Sequence, residues 1–200
     1  MVGERQYEEA LRLARQADKD GGPLPLALLR ESADAGYAPA LYALATWHLF
    51  GKGVRKNYKM AFALLRKSAA QKYGPAEHAL AVSYEKGKGT PKDAKAAFLY
   101  YRRAAEHGEW TACTEVGRCY YYGIGAAKNL SKSAAWYEKA ATRGDAEAQY
   151  NLGLAYEYGD GVTKNTFEAM RWYSAAASQG DEDAGKALAR LQRRSRKQVS

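Results

Sequence analysis

The apolar positions of this chain fall into short helical stripes, and the stripes return every 36 residues. In 145–180, Ala148, Leu152, Ala155 and Tyr156 have the spacing that puts side chains on one face of a helix. After Gly159-Asp160-Gly161 a second stripe follows, Ala169, Trp172, Tyr173, Ala176 and Ala177, and Gly180 closes it. Steps of 36 back from Ala184 meet Ala148, Ala112, Ala76 and Ala40. The same step links Gly159 to Gly123, Gly87 and Gly51, and Gly161 to Gly125, Gly89 and Gly53. A fixed period of this size marks one helix hairpin that cannot bury its apolar face alone and therefore stacks on its copies.

Each copy predicts a first helix of about 13 residues, a glycine-marked loop, and a second helix of about 14. In the last copy the first helix is expected from about Ala146 to Tyr158. Asn165 and its equivalents Asn129, Asp93 and Asn57 have short side chains that accept from free amides, so they read as N-caps of the second helices. The first glycine of each loop reads as a helix end with positive φ. Ala148, Gly153, Ala169 and Ala176 are expected to let paired backbones approach, with Leu152, Tyr156, Trp172 and Tyr173 filling gaps toward the next copy. The expected organisation is an N-terminal capping helix and half repeat (1–36), four complete copies (37–72, 73–108, 109–144, 145–180), and a C-terminal capping helix with a basic tail (181–200). The first helix, near 4–19, is expected to stop at Gly21-Gly22-Pro23, and a second follows near 24–35. Asp181 reads as the N-cap of the last helix, and fraying is expected beyond about Arg194.

The recurring pattern A-x3-LG-x2-Y-x2-G-x-GV-x2-D/N-x3-A-x2-WY-x2-AA-x2-G resembles the Sel1-like repeat (SLR), a relative of the tetratricopeptide repeat. The resemblance covers 37–180 fully and the flanks in part. It implies an all-α fold, a right-handed superhelical solenoid of four 36-residue helix–turn–helix repeats with capping helices at both ends. It also implies a non-catalytic adaptor or scaffold that holds a protein or peptide partner. Roles in the family include signalling, quality control, bacterial secretion machinery and immunity proteins that bind toxic effectors. Lys72 for glycine, Thr90 and Ala126 for the loop valine, and His48 for tyrosine depart from the pattern and suggest local loosening. A disulfide-stapled, cysteine-rich branch exists, and two cysteines are too few to belong to it.

Charge and chemistry add little to that picture. Of the net charge of +9, six positive charges lie between Lys186 and Lys197, so residues 1–185 sum to +3 and the repeats read as near balance. Cys113 and Cys119, six apart on one helix, stand about 9 Å apart along its axis and cannot pair. No stretch is apolar enough to span a membrane. The N-terminus lacks the apolar core and cleavage site of a signal peptide, which makes the cytoplasm the default expectation, although a chain begun at a mature N-terminus would look the same. His48 falls at an aromatic packing phase, and His107 at a helix end whose carbonyls it would complement. No Cys or His group has metal-ligand spacing, no serine sits in a nucleophile elbow, and Gly87-Lys88-Gly89-Thr90 lacks the upstream glycine of a phosphate loop. Asn129-Leu130-Ser131 reads as a cap rather than a glycosylation site. No cofactor, metal site or catalytic residue is expected.

The positions left free by the repeat are on the first helices, turned about 200° from the alanine stripe. They are Tyr42, Thr46 and Leu49; His78, Val82 and Glu85; Thr114, Arg118 and Tyr121; and Tyr150, Leu154 and Glu157. In solenoids of paired helices this face lines the concave side, where an extended segment or partner helix docks. Tyrosines and an arginine beside aliphatics suit an interface. The alternative is nucleic-acid or anionic-surface binding through the basic C-terminal tail. Nucleic acid is the less favoured partner, because its footprint requires charge spread along a face of the fold.

Overall fold

A computed structural model describes residues 2–20 and 25–199, so the expected stop at Gly21-Gly22-Pro23 lies outside the described residues. Among these there are eleven helices and no strand: α1 (Val2–Asp20), α2 (Leu26–Asp34), α3 (Ala38–Phe50), α4 (Tyr58–Ala69), α5 (Gly74–Lys86), α6 (Ala94–Glu106), α7 (Thr111–Tyr122), α8 (Leu130–Ala141), α9 (Ala146–Tyr158), α10 (Thr166–Ser178) and α11 (Glu182–Val199). The fold is an all-α helical repeat solenoid, as the period required.

Short side chains and glycines set the helix boundaries. Asn57, Asp93, Asn129 and Asn165 each accept a backbone amide two or three residues on, at 2.9–3.1 Å, and so satisfy a free donor at the start of α4, α6, α8 and α10. The backbone amide of the same residue reaches back to a first-helix carbonyl, as in Asn165 to Tyr156 at 2.9 Å and Asn129 to Tyr120 at 2.8 Å. That bond pins the loop at one length, which is why no insertion breaks the register. α3 and α5 begin with Tyr37 and Tyr73 followed by an early proline, whereas Asp145 and Asp181 cap α9 and α11 through Ala148 N (2.7 Å) and Ala184 N (2.8 Å). α11 runs to Val199. No glycine or proline interrupts 186–199, and its lysines, arginines and glutamines are good helix formers.

The chain divides into two compact units, Met1–Gly108 and Glu109–Ser200. In the first unit each of α1 to α5 packs on the next helix, burying Leu29, Leu41, Leu44, Leu64, Leu65 and Leu80 among alanines. Lys72 takes the left-handed conformation (φ 61°) that glycine holds at the other repeat ends, so its turn is kept rather than loosened. A Cβ added at Gly89 would run into the Tyr58 carbonyl, so this second loop glycine lets one repeat's loop lie on the start of the previous repeat's second helix.

The second unit, α7 to α11, repeats the arrangement and clarifies the small residues. A Cβ at Gly153 would lie 2.7 Å from the ring of Tyr173, and one at Gly117 would lie 2.7 Å from the ring of Tyr137. The gap therefore houses an aromatic ring from the second helix of the same hairpin, not a close backbone. Tyr173 thus fills its own hairpin and also belongs to the core cluster shared with Ala184, Ala187 and Leu191 of the next helix, as expected of it. Gly161 meets the Leu130 carbonyl as Gly89 meets Tyr58. Cys113 and Cys119 are buried and form no disulfide, and burial pushes the Cys113 thiol up, away from thiolate chemistry.

Candidate interaction surface

In the first unit the predicted face is half-buried and partly tied inward. Tyr42 meets Tyr73 edge-on at 5.7 Å, and His78 meets Tyr101 at 5.4 Å. Glu85 accepts the Tyr101 hydroxyl at 3.1 Å, and Thr46 donates to the Ala43 carbonyl at 2.7 Å. Leu49 and Val82 are half-buried. α5 thus turns His78 and Glu85 onto the second helix of its own hairpin. The buried Glu77 carboxylate lies 2.6 Å from His107 Nδ1. His107 therefore pairs across the hairpin with a carboxylate, beyond the carbonyl-end role its position implied. His48 is half-buried, its Nδ1 3.3 Å from the Arg55 carbonyl.

In the second unit two of the six predicted residues are withdrawn from solvent. Thr114 is buried and donates to Asp145 at 3.2 Å, tying α7 to the start of α9. Glu157 is buried; it accepts the Tyr173 hydroxyl at 2.9 Å and the Arg190 guanidinium at 2.7 and 2.8 Å. That arrangement clasps α9 to both α10 and α11. Burial, then the Glu157 carboxylate, raises the Tyr173 phenol, which stays protonated and donating. Tyr150 leans on Tyr173 at 5.7 Å. These contacts follow from the helix spacing: a side chain about 200° from the alanine stripe reaches the wedge between neighbouring helices as readily as solvent.

The remaining residues form a surface. Arg118, held by Glu115 at 2.7 Å, precedes Tyr121 and Tyr122, whose rings meet edge-on at 4.9 Å. Tyr121 donates to Asp160 at 3.3 Å, and burial followed by the Asp160 charge raises its phenol. Leu154 and Asn151 join these tyrosines around a cleft of about 70 Å³. The period also hid a further row. Phe50, Tyr122 and Tyr158 hold one repeat phase, immediately before the loop glycine, and are 79%, 66% and 58% exposed. Each lies four residues after a predicted face residue (Thr46, Arg118, Leu154), so it shares that face. The signal was present in the sequence: an aromatic at this phase in three of the four copies, with Lys86 in the other.

No group of three or more His, Cys, Asp or Glu among the described residues could hold a metal ion. No helix among them is long and apolar enough to cross a membrane. The Sel1 repeat family matches residues 38–73, 74–109, 110–145 and 146–181. No curated protein matches the chain. Among solved structures, a Sel1 repeat protein from Oxalobacter formigenes is similar at 33% identity and a TM-score of 0.79, over 84% of this chain. The match covers 49% of that protein, so the chain spans about half its length. An immunity protein from Pseudomonas aeruginosa is similar at 27% identity and a TM-score of 0.54, over 92% of this chain and 67% of its own. A second immunity protein from that organism is similar at 25% identity and a TM-score of 0.54, over 91% and 67%.

Proposed function

Because the chain belongs to the Sel1 repeat family, we propose that it is a non-catalytic scaffold that holds a protein or peptide partner on the exposed side of its first helices. A protein-binding adaptor role is typical of the family. The observation that carries the reading is the exposure of Tyr122 and Tyr158, aromatics at one repeat phase of the second unit. In the second unit Tyr122 stands exposed at the cleft that Tyr121 and Leu154 line, and Tyr158 stands exposed at the end of α9. Aromatic rings and arginine dominate interface energetics because they bury large area at small entropic cost. Thr114 and Glu157 take no part in this surface, since packing uses both.

The test is capture of the partner by the chain and by a variant with Arg118, Tyr121, Tyr122 and Tyr158 all changed to alanine. The variant is expected to keep its helical circular dichroism and lose the partner. Retention of the partner at full strength would count against this face. The two immunity proteins among the similar structures support a narrower reading, in which the partner is a toxic effector. On that reading the captured protein is an enzyme or toxin whose activity falls as the purified chain is added in equimolar amount. A captured partner with no activity to inhibit would remove the narrower reading and leave the scaffold.

A further inference from the structure

The near balance of charge over residues 1–185 conceals a segregation. Between Asp34 and Glu77 there is no Asp or Glu, and Lys52 to Lys72 contains seven lysines and arginines, all exposed. The other three copies carry four, three and five acids. One repeat therefore holds an unbalanced positive field, which the sum over the chain cancels against acidic stretches elsewhere. The basic tail, where the sequence reading placed the excess, adds fewer positive charges than this copy does.

The fold gathers part of that charge into a cleft. Its walls are Leu26 and Arg30 from α2, His48 at the end of α3, the loop from Gly53 to Asn57, and Tyr58 and Lys59 at the start of α4, with a volume of about 760 Å³. Four cations, Arg30, Arg55, Lys56 and Lys59, line it, and no carboxylate among the described residues does. None of the four has an ion-pair partner among the described residues, whereas Arg12, Arg102, Arg118, Arg171 and Arg190 each have one. Lys56 and Lys88 place their ammonium groups 5.1 and 5.8 Å from the centroid of the Tyr58 ring. The Lys56 hydrogen bond, with the charges of Lys56 and Lys88, pulls the Tyr58 phenol down, as expected of a strongly positive rim. The first turn of α4 opens on the same cleft and adds the positive end of its dipole.

We propose that this cleft is a second binding site, which takes an acidic segment of a protein, its carboxylates set between Arg30, Arg55, Lys56 and Lys59. Four cations that meet no carboxylate among the described residues repel one another, and a run of carboxylates relieves that cost while the guanidinium forks give it directed hydrogen bonds. Single-stranded nucleic acid fits less well. Its recognition needs an open aromatic platform, and the ring at this rim is already covered by Lys56 and Lys88. The site belongs to α2, the α3–α4 loop and α4, and stands whether or not the first-helix face binds anything.

The experiment titrates a hexaglutamate peptide into the full chain while backbone amide shifts are recorded. Shifts are expected at Arg30 and from Val54 to Lys59, with the affinity lost between about 0.1 and about 1 M salt as the screening length falls from about 10 to about 3 Å. The triple variant Arg55→Glu, Lys56→Glu, Lys59→Glu changes exposed side chains only. It is expected to bind the peptide at least about tenfold more weakly, while changing Arg193 and Arg194 to glutamate has little effect. Three results would overturn the proposal: no shifts in the wild-type chain at low salt, shifts confined to α11, or a hexanucleotide of single-stranded DNA that binds the same residues more tightly than the peptide.

Discussion

Gly153 shows how much one missing methyl group decides. The Tyr173 ring occupies the space its Cβ would need, and that ring carries the hydroxyl that reaches Glu157. Gly153→Ala is expected to destabilise the chain by about 1–3 kcal/mol as overpacking, despite alanine's better helix propensity, read as a lower urea midpoint. An unchanged or raised midpoint would mean that the ring has room to move. Lys72 carries the opposite cost, a left-handed backbone (φ 61°) on a residue with a side chain. Lys72→Gly is expected to stabilise by about 1 kcal/mol in the same assay, since the strain relieved outweighs glycine's greater unfolded-state entropy at this exposed turn. His107 faces the buried Glu77 carboxylate at 2.6 Å. His107→Ala strands that group and is expected to cost about 1–3 kcal/mol, while His107→Gln, which can still donate, recovers part of the loss. The ring in the Gly153 gap was not legible in the sequence, because a small residue at a fixed phase fits a close backbone and a housed aromatic equally well. The Glu77–His107 pair was missed for a related reason: its partners are thirty residues apart, on different helices.

At the scale of the element, legibility was high where chemistry is local. The first helix of the last copy spans Ala146–Tyr158 as its stripe and its closing glycine predict. The four recurring Asn or Asp caps are in place because capping needs only a short acceptor and amides two or three residues away. Asn165→Ala is expected to cost about 1 kcal/mol, and the matching changes at Asn57 and Asn129 similar amounts, measured by chemical denaturation. A loss far above this at any one of them would show that the side chain does more than cap. Elements whose extent depends on absent signals were harder to place: α11 continues to Val199 because nothing stops it. On the same scale, packing between helices claims Thr114 and Glu157 in a way that the stripe alone did not reveal.

At the scale of the molecule, the period fixes the class of fold, and the departures from the period carry the functional reading. Exposed aromatics at one phase mark a surface in the second unit, and an acid-free first copy marks a cationic cleft in the first. Both features were present in the sequence. One was hidden because a repeat draws attention to what packs, and the other because net charge was summed across copies that differ. The central claim is that the first-helix face holds a protein partner through Tyr122 and Tyr158. Titration calorimetry of the captured partner against the chain and against the Tyr122→Ala, Tyr158→Ala double variant tests it most directly. The account predicts a loss of at least about 2 kcal/mol, roughly thirtyfold in affinity, with the melting temperature unchanged. Equal affinity for the two proteins would contradict it.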